Sequence, residues 1–214
     1  MLKVWGRTTS ANVQKVMWTI AELRLPHERI DAGGAFGRLD TPEYTALNPN
    51  KLIPTIQDGD LTLWESSAII RYLARTYGAG QLQPVAGHEI AHADQWMEWT
   101  STTLYPDIIG SMFMGLIRTP AAQRNTAAIA TSIQRVGEKL AILDDALANR
   151  PYILGDRLTM ADIPAGGLMY RYFTLPVARP RLANLEAWFG RLQERAAYQD
   201  HVMIDYSALR VEGA

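Results

Sequence analysis

The order of patterns along the chain predicts two domains of different class: a small α/β domain over residues 1–78, a linker over 79–87 and an all-helical bundle over 88–214. Three observations carry this. Strand-like and helix-like stretches alternate in the order βαβ, loop, ββα up to Gly78. The next ten residues, "GAGQLQPVAG", are punctuated by glycine and proline. Beyond them strand-like alternation disappears, and only helical patterns remain.

Taken in order, "LKVW" is a short apolar strand. In "SANVQKVMWTIAELRL" the apolar residues Val13, Val16, Met17, Ile20, Ala21 and Leu23 recur close to helical spacing, Ser10 sits where an N-cap belongs, and Pro26 follows where a helix should end. "ERID" is then a second strand, completing one βαβ unit. After the loop "GGAFG", the stretch "IPTIQDGDLTLW" carries the turn pair Asp58-Gly59 between apolar runs, which predicts an antiparallel hairpin. "ESSAIIRYLARTYG" places Ala68, Ile69, Tyr72 and Leu73 on one face and ends on glycine, the pattern of a helix with a C-terminal stop. The sheet is therefore expected to be mixed and four-stranded. In the second domain, helices are expected over roughly 88–117, 121–149, 159–173 and 182–197, separated by "RTP", "RPYILG" and "ARPRL".

Composition narrows the function. The 48% hydrophobic and 20% charged content with a formal net charge of -1 describes a globular chain with no electrostatic case for nucleic acid or an anionic membrane. The expected partner is small or protein-like. The chain has no cysteine, so disulfides, thiolate metal sites and cysteine nucleophiles are excluded, and any sulfur chemistry must use a substrate's thiol. "MLKVWGRTTSANVQK" lacks the apolar run of a signal peptide, and no stretch approaches the roughly 20 apolar residues that span a bilayer. A cytoplasmic location is expected.

Three places can carry chemistry. Thr8, Thr9, Ser10 and Asn12 cluster where the first strand gives way to a helix, as caps or as substrate contacts. Proline is tolerated in a sheet at an edge or at a strand's first residue, and Pro54 stands there. If the Ile53-Pro54 bond is cis, the Ile53 backbone can pair with a peptide-like ligand as an added strand; if trans, the proline merely opens the strand. Glu65-Ser66 begins the helix after the hairpin, where free N–H groups and the helix dipole favour anions. Glu65 either complements the dipole or, with Ser66, takes the two charges of an α-amino acid head group.

Together, "TSANVQKVMW", "NPNKLIPTIQDGDLTLWESSAIIRYLARTYG" and "LTMADIPAGGLMYRY" resemble the soluble glutathione transferases, with bacterial and theta-like members most similar. The resemblance covers essentially the whole chain. It implies a thioredoxin-like first domain, a helical second domain, glutathione as co-substrate without a metal, a small hydrophobic electrophile as its reaction partner, and a homodimer. By resemblance, the Ile53 backbone pairs with the cysteinyl part of glutathione, Pro54 is a cis-proline, Leu52 lies in the same binding run, and Glu65 with Ser66 takes the γ-glutamyl head. Ser10 stands where theta-like members place a catalytic serine, and Asn12 matches an asparagine used by some bacterial members. Lys51 occupies a position where the family commonly has glycine, and Leu52 one where a polar residue often stands. Lys51 is either a solvated loop residue or a ligand of the glutathione glycine carboxylate. In "YPDIIGSMFMG", Tyr105, Ile109, Met112 and Phe113 either border the electrophile or form plain core, and Pro106 is expected to kink their helix. Thr159 and Asp162 resemble the family's structural helix cap.

The thiol dictates the mechanism to expect. A free thiol has a pKa of about 8.5, so only a few per cent is nucleophilic thiolate at neutral pH. A hydroxyl or amide that donates to sulfur at a helix N-terminus stabilises the anion over the thiol. Ser10 is the expected donor, with Asn12 as its assistant or substitute. Two other activities share this architecture: glutathione-dependent disulfide or peroxide reduction, and ligand binding without turnover. A remote third reading comes from "HEIAH", His88 to His92, which matches a zinc-protease signature but lacks the glycine and third histidine of its longer form.

Overall fold

The computed structural model describes residues 1–211. Strand β1 (Leu2–Trp5), helix α1 (Ala11–Glu22) and strand β2 (His27–Ile30) form the expected βαβ unit, with β1 and β2 parallel. Strands β3 (Thr55–Asp58) and β4 (Leu61–Trp64) form the hairpin, and β3 runs antiparallel to β1. The sheet order is β2-β1-β3-β4. Asp58 pairs with Leu61, so the hairpin loop is Gly59-Asp60, one residue later than the sequence signal. Gly59 takes the positive φ of 58° that a tight hairpin loop demands at its first position.

Alternation along the strands buries Val4 and Ile56 on one face against Val13, Val16 and Ile20 of α1 and against Ile69 and Leu73 of helix α3 (Ser66–Tyr77). The opposite face carries Trp5 against Tyr44, edge to face at 5.7 Å. Tyr44 belongs to a short helix α2 (Pro42–Leu47) that the sequence reading passed over as loop. Its signal was present in "TPE": Thr41 Oγ1 accepts the Tyr44 N–H at 3.2 Å, and Pro42 takes the first helical position.

The second domain begins at α4 (Gly87–Trp99) and continues as one unbroken helical path through Thr100–Leu104 and Pro106–Phe113 into α5 (Met114–Ile117). The path is widened to π-helical turns around Pro106, which is how the ring is accommodated where a kink was expected. Side chains also bond carbonyls along this path. Thr100, Ser101 and Thr102 donate to the carbonyls four residues back, and Lys139 Nζ donates to the Thr103 carbonyl at 2.7 Å.

Helices α6 (Thr126–Ala146), α7 (Asp162–Thr174), α8 (Ala183–Gln193) and α9 (Ala196–His201) complete the bundle. Sequence reading joined the last two as one helix. The break falls at Arg195, whose backbone is extended and whose guanidinium reaches α1, donating to Glu22 at 2.7 and 2.6 Å. Asp162 starts α7 as the resemblance implied. It accepts from the backbone N–H groups of Ile153 and Thr159, from the Thr159 hydroxyl and from Trp188 Nε1.

Helix α1 is buried almost all round, with Gln14, Lys15, Trp18 and Thr19 turned away from the sheet toward the helical domain. Gly166 and Gly167 of α7 make this approach feasible. A Cβ there would stand 2.9 Å from the Trp18 ring and 2.6 Å from Lys15 Cγ. Among the described residues, no helix is long and apolar enough to cross a membrane.

Candidate active site

Ser10 is the N-cap residue of α1 by backbone geometry, and its carbonyl accepts the Gln14 N–H at 2.9 Å. Its hydroxyl makes no capping bond, although the sequence places Ser10 where a capping residue belongs. The loop ahead of it is fixed from α1, where Gln14 Nε2 donates to the Thr8 carbonyl at 2.9 Å. A donor is left uncommitted beside the positive end of a helix.

Two residues on, the Asn12 amide is held at both ends. Ser66 Oγ donates to Asn12 Oδ1 at 3.4 Å, and Asn12 Nδ2 donates to Tyr105 Oη at 3.3 Å. This chain brings α1, α3 and the widened helix of the second domain to one point. Tyr105 enters through its hydroxyl as well as its ring. Burial raises its phenol above the ordinary value while Asn12 and Arg171 act in the opposite sense, so it stays protonated at neutral pH and can donate onward.

The Ile53-Pro54 bond is cis. Its loop is braced by Asn48, whose Oδ1 accepts the Asn50 N–H and whose Nδ2 donates to the Leu52 carbonyl and to Thr55 Oγ1. Tyr44 Oη also donates to the Leu52 carbonyl. Among the described residues no such bond involves the Ile53 backbone, which leaves a strand-like donor and acceptor beside β3. Leu52 itself points its side chain into solvent, 61% exposed. Lys51 adopts a left-handed φ of 55°, the conformation glycine would take at no steric cost, and its ammonium bonds Asp40 at 3.0 Å on the surface.

Glu65 precedes α3 with a φ of 70°, a region that costs a side-chain-bearing residue free energy and that recurs at ligand-binding positions. The conformation leaves its carboxylate exposed, with no capping bond to the helix. Ser66 behind it is buried. Of the remaining candidates, Tyr105 and Ile109 keep partial exposure, and Phe113 is nearly enclosed between Arg171 and Tyr206. Met112 is wholly buried in the helical core and offers no surface to a ligand.

Three residues went unread in the sequence. Arg171 of α7 is 2% exposed; it donates to Gln14 Oε1 at 2.5 Å and to the Thr9 carbonyl at 2.9 Å, pinning the loop ahead of Ser10. Burial pushes its guanidinium down to about 10, which leaves it charged at neutral pH. Arg7 and Arg118 add positive charge nearby, so the field here favours an anion. Gln14 is the second such residue and Lys15 the third. Lys15 is 3% exposed and lies 5.4 Å from the centre of the Tyr105 ring. The only available signal was their place on the polar face of an amphipathic helix, which ordinarily means solvent.

The zinc reading of "HEIAH" finds no support in the geometry. His88 and His92 are exposed on α4, and the described residues contain no cluster of three or more histidine, aspartate or glutamate side chains placed to hold a metal. A cavity of about 790 Å³ near the end of α1, lined by Glu22, Arg24, Arg191 and Arg195, contains none of the candidate glutathione or electrophile residues.

A four-stranded mixed sheet in βαβ-ββα order, joined to an all-helical domain, is a thioredoxin-like fold with a helical partner. The Glutathione S-transferase N-terminal domain family matches residues 9–76, and its C-terminal domain family matches residues 92–196. Glutathione S-transferase GstB of Escherichia coli (strain K12) is 40% identical over 209 residues, covering 97% of this chain and all of the relative. The theta class glutathione S-transferase from Xanthomonas axonopodis pv. citri, solved with glutathione bound, superposes with a TM-score of 0.90 at 47% identity, over 95% of this chain and 98% of that one. Bombyx mori glutathione transferase BmGSTD1 gives a TM-score of 0.86 at 27% identity, over 97% and 95% of the two chains. The chain belongs to the glutathione S-transferase family. It is a glutathione transferase, with glutathione as co-substrate.

Proposed function

We propose that this transferase stabilises the glutathione thiolate with the Ser10 hydroxyl, aided by Asn12, as the thiol proton leaves to solvent, and delivers the thiolate to a small hydrophobic electrophile. The observation that carries the reading is the uncommitted Ser10 hydroxyl at the start of α1, next to the Ser66–Asn12–Tyr105 chain. In this reading the exposed Glu65 carboxylate accepts from the γ-glutamyl ammonium, and the Ser66 N–H donates to the γ-glutamyl carboxylate while the Ser66 hydroxyl stays on Asn12. The Ile53 N–H and carbonyl pair with the cysteinyl unit, with Leu52 and Pro54 shaping the loop. The thiol then lies where Ser10 donates to sulfur, and one hydrogen of Asn12 Nδ2 remains for the same anion because Tyr105 takes the other. The electrophile rests over Tyr105, Ile109 and the edge of Phe113, with Met112 supporting them from the core. Residues 79–87 link the two working halves. A two-fold dimer and a cytoplasmic location are part of the same proposal, supported by the family resemblance and by the absence of cysteine.

Adsorption to immobilised glutathione, followed by assays with aryl halides, enones, peroxides and disulfides, tests the activity. Ser10→Ala tests the assignment. A hydrogen bond to a charged group contributes about 1.5–3 kcal/mol, so kcat/KM is expected to fall roughly ten- to hundredfold and the bound thiol to become less acidic. If Ser10→Ala leaves both unchanged while Asn12→Ala abolishes them, the two roles are reversed.

A further inference from the structure

Lys15 lies three residues beyond Asn12 on the same face of α1. Its stem crosses α7 at Gly167, the position where a Cβ would stand 2.6 Å from Lys15 Cγ. A larger residue at 167 would close that channel. The ammonium at its end has no carboxylate within ion-pair distance and no hydrogen-bond partner among the described residues; what it does have is the face of the Tyr105 ring. Burying a charge without a counter-ion opposes folding. Methionine would fill the same channel without that penalty, so packing alone does not account for a lysine here.

We infer that Lys15 is a positioning residue of the thiol site: its ammonium, fixed over Tyr105, holds that ring against Asn12 and sets a positive charge behind the donors that receive the glutathione thiolate. The inference rests on the thiol-activating reading of Ser10 and Asn12. Both parts are electrostatic. The negative face of an aromatic ring attracts a cation, so Tyr105 is gripped by two residues of α1, through its ring by Lys15 and through its oxygen by Asn12. A positive charge in a poorly solvated site also favours the ionised form of an anion bound close by. The charged and titratable groups that face this arrangement are Glu65 at the start of α3, the Tyr105 phenol and Arg171 on α7. Burial pushes the Lys15 ammonium down to about 8, against an upward pull from Glu65. Its charge is present at neutral pH and fades above it.

The test is titration of the thiolate absorbance of bound glutathione in the wild type, Lys15→Met, Lys15→Arg and Gly167→Ala. Lys15→Met keeps the length and deletes the charge. Its bound-thiol midpoint is expected to rise by about one pH unit, leaving about tenfold less thiolate at neutral pH. It should lower kcat more than it changes the KM for glutathione, and melt at a higher temperature than the wild type. Lys15→Arg should restore most of the midpoint. Gly167→Ala displaces the stem with every charge retained, and should move the midpoint in the same direction as Lys15→Met. A bound-thiol midpoint unchanged in both Lys15→Met and Gly167→Ala overturns the role assigned to Lys15 and leaves the transferase reading standing. A wild type that shows no bound thiolate overturns the thiol-activating reading and this inference with it.

Discussion

At the start of α1 the Ser10 hydroxyl has no partner among the described residues, while the Asn12 amide is engaged by Ser66 and Tyr105 and the Lys15 ammonium is buried behind them. The arrangement sets acid–base behaviour as well as catalysis. Lys15 is held at about 8 in the folded protein against 10.5 in the unfolded chain. Below pH 8 both states carry the proton, and the folded state bears the full penalty of the buried charge. Between the two values the unfolded chain binds more protons, so this group's contribution to stability rises with pH. The stability advantage of Lys15→Met over the wild type is therefore expected to be on the order of 3 kcal/mol below pH 8 and to shrink as pH climbs toward 10.5. Parallel urea melts of the two proteins at a series of pH values check this; an advantage that grows with pH would contradict it. Ser10 and Asn12 were legible because chemistry of their type at a strand-to-helix junction is itself a signal. Lys15, Gln14 and Arg171 were not, because they are buried where α1 packs on α7, a contact that joins Gln14 to Arg171 across 157 positions of sequence.

The elements themselves followed local rules where those rules were strong. The helix before Gly78 and the βαβ start stand where alternation and stop residues placed them, and the hairpin does so with its loop one residue later. Elements governed by tertiary demands were less legible. α2 is a six-residue helix whose Tyr44 caps the far face of the sheet, and the path around Pro106, which has no N–H to give the ladder, runs in π-helical turns. The start of α7 shows how much one residue can organise. Asp162 is fully buried with four donors, and desolvation still raises its carboxyl to about 6. Asp162→Ala would leave the Ile153 and Thr159 amides and the Trp188 indole unpaired in the core. Since each unsatisfied buried donor costs about 1–3 kcal/mol, a loss of 3 kcal/mol or more is expected. In denaturant titrations the midpoint should fall steeply with little change in slope.

At the scale of the whole molecule, two arginines tie the domains together at opposite ends of α1. Arg171 holds the Thr9 carbonyl and Gln14 ahead of the thiol site, and Arg195 holds Glu22 at the far end. Their removal should separate stability from activity. Arg195→Met is expected to lower stability by about 1–3 kcal/mol and leave kcat/KM per folded molecule unchanged. Arg171→Met leaves Gln14 Oε1 and the Thr9 carbonyl unpaired, so it should lower both stability and kcat/KM. Equal loss of activity in the two variants would mean that domain contact as such, rather than the loop before Ser10, supports the site. Whether the site makes a thiolate is read from the thiolate absorbance of glutathione bound to the wild-type protein, titrated against pH. A bound-thiol midpoint at least about one pH unit below the 8.5 of a free thiol is expected; a midpoint no lower than that of free glutathione would overturn thiol activation by Ser10 and Asn12.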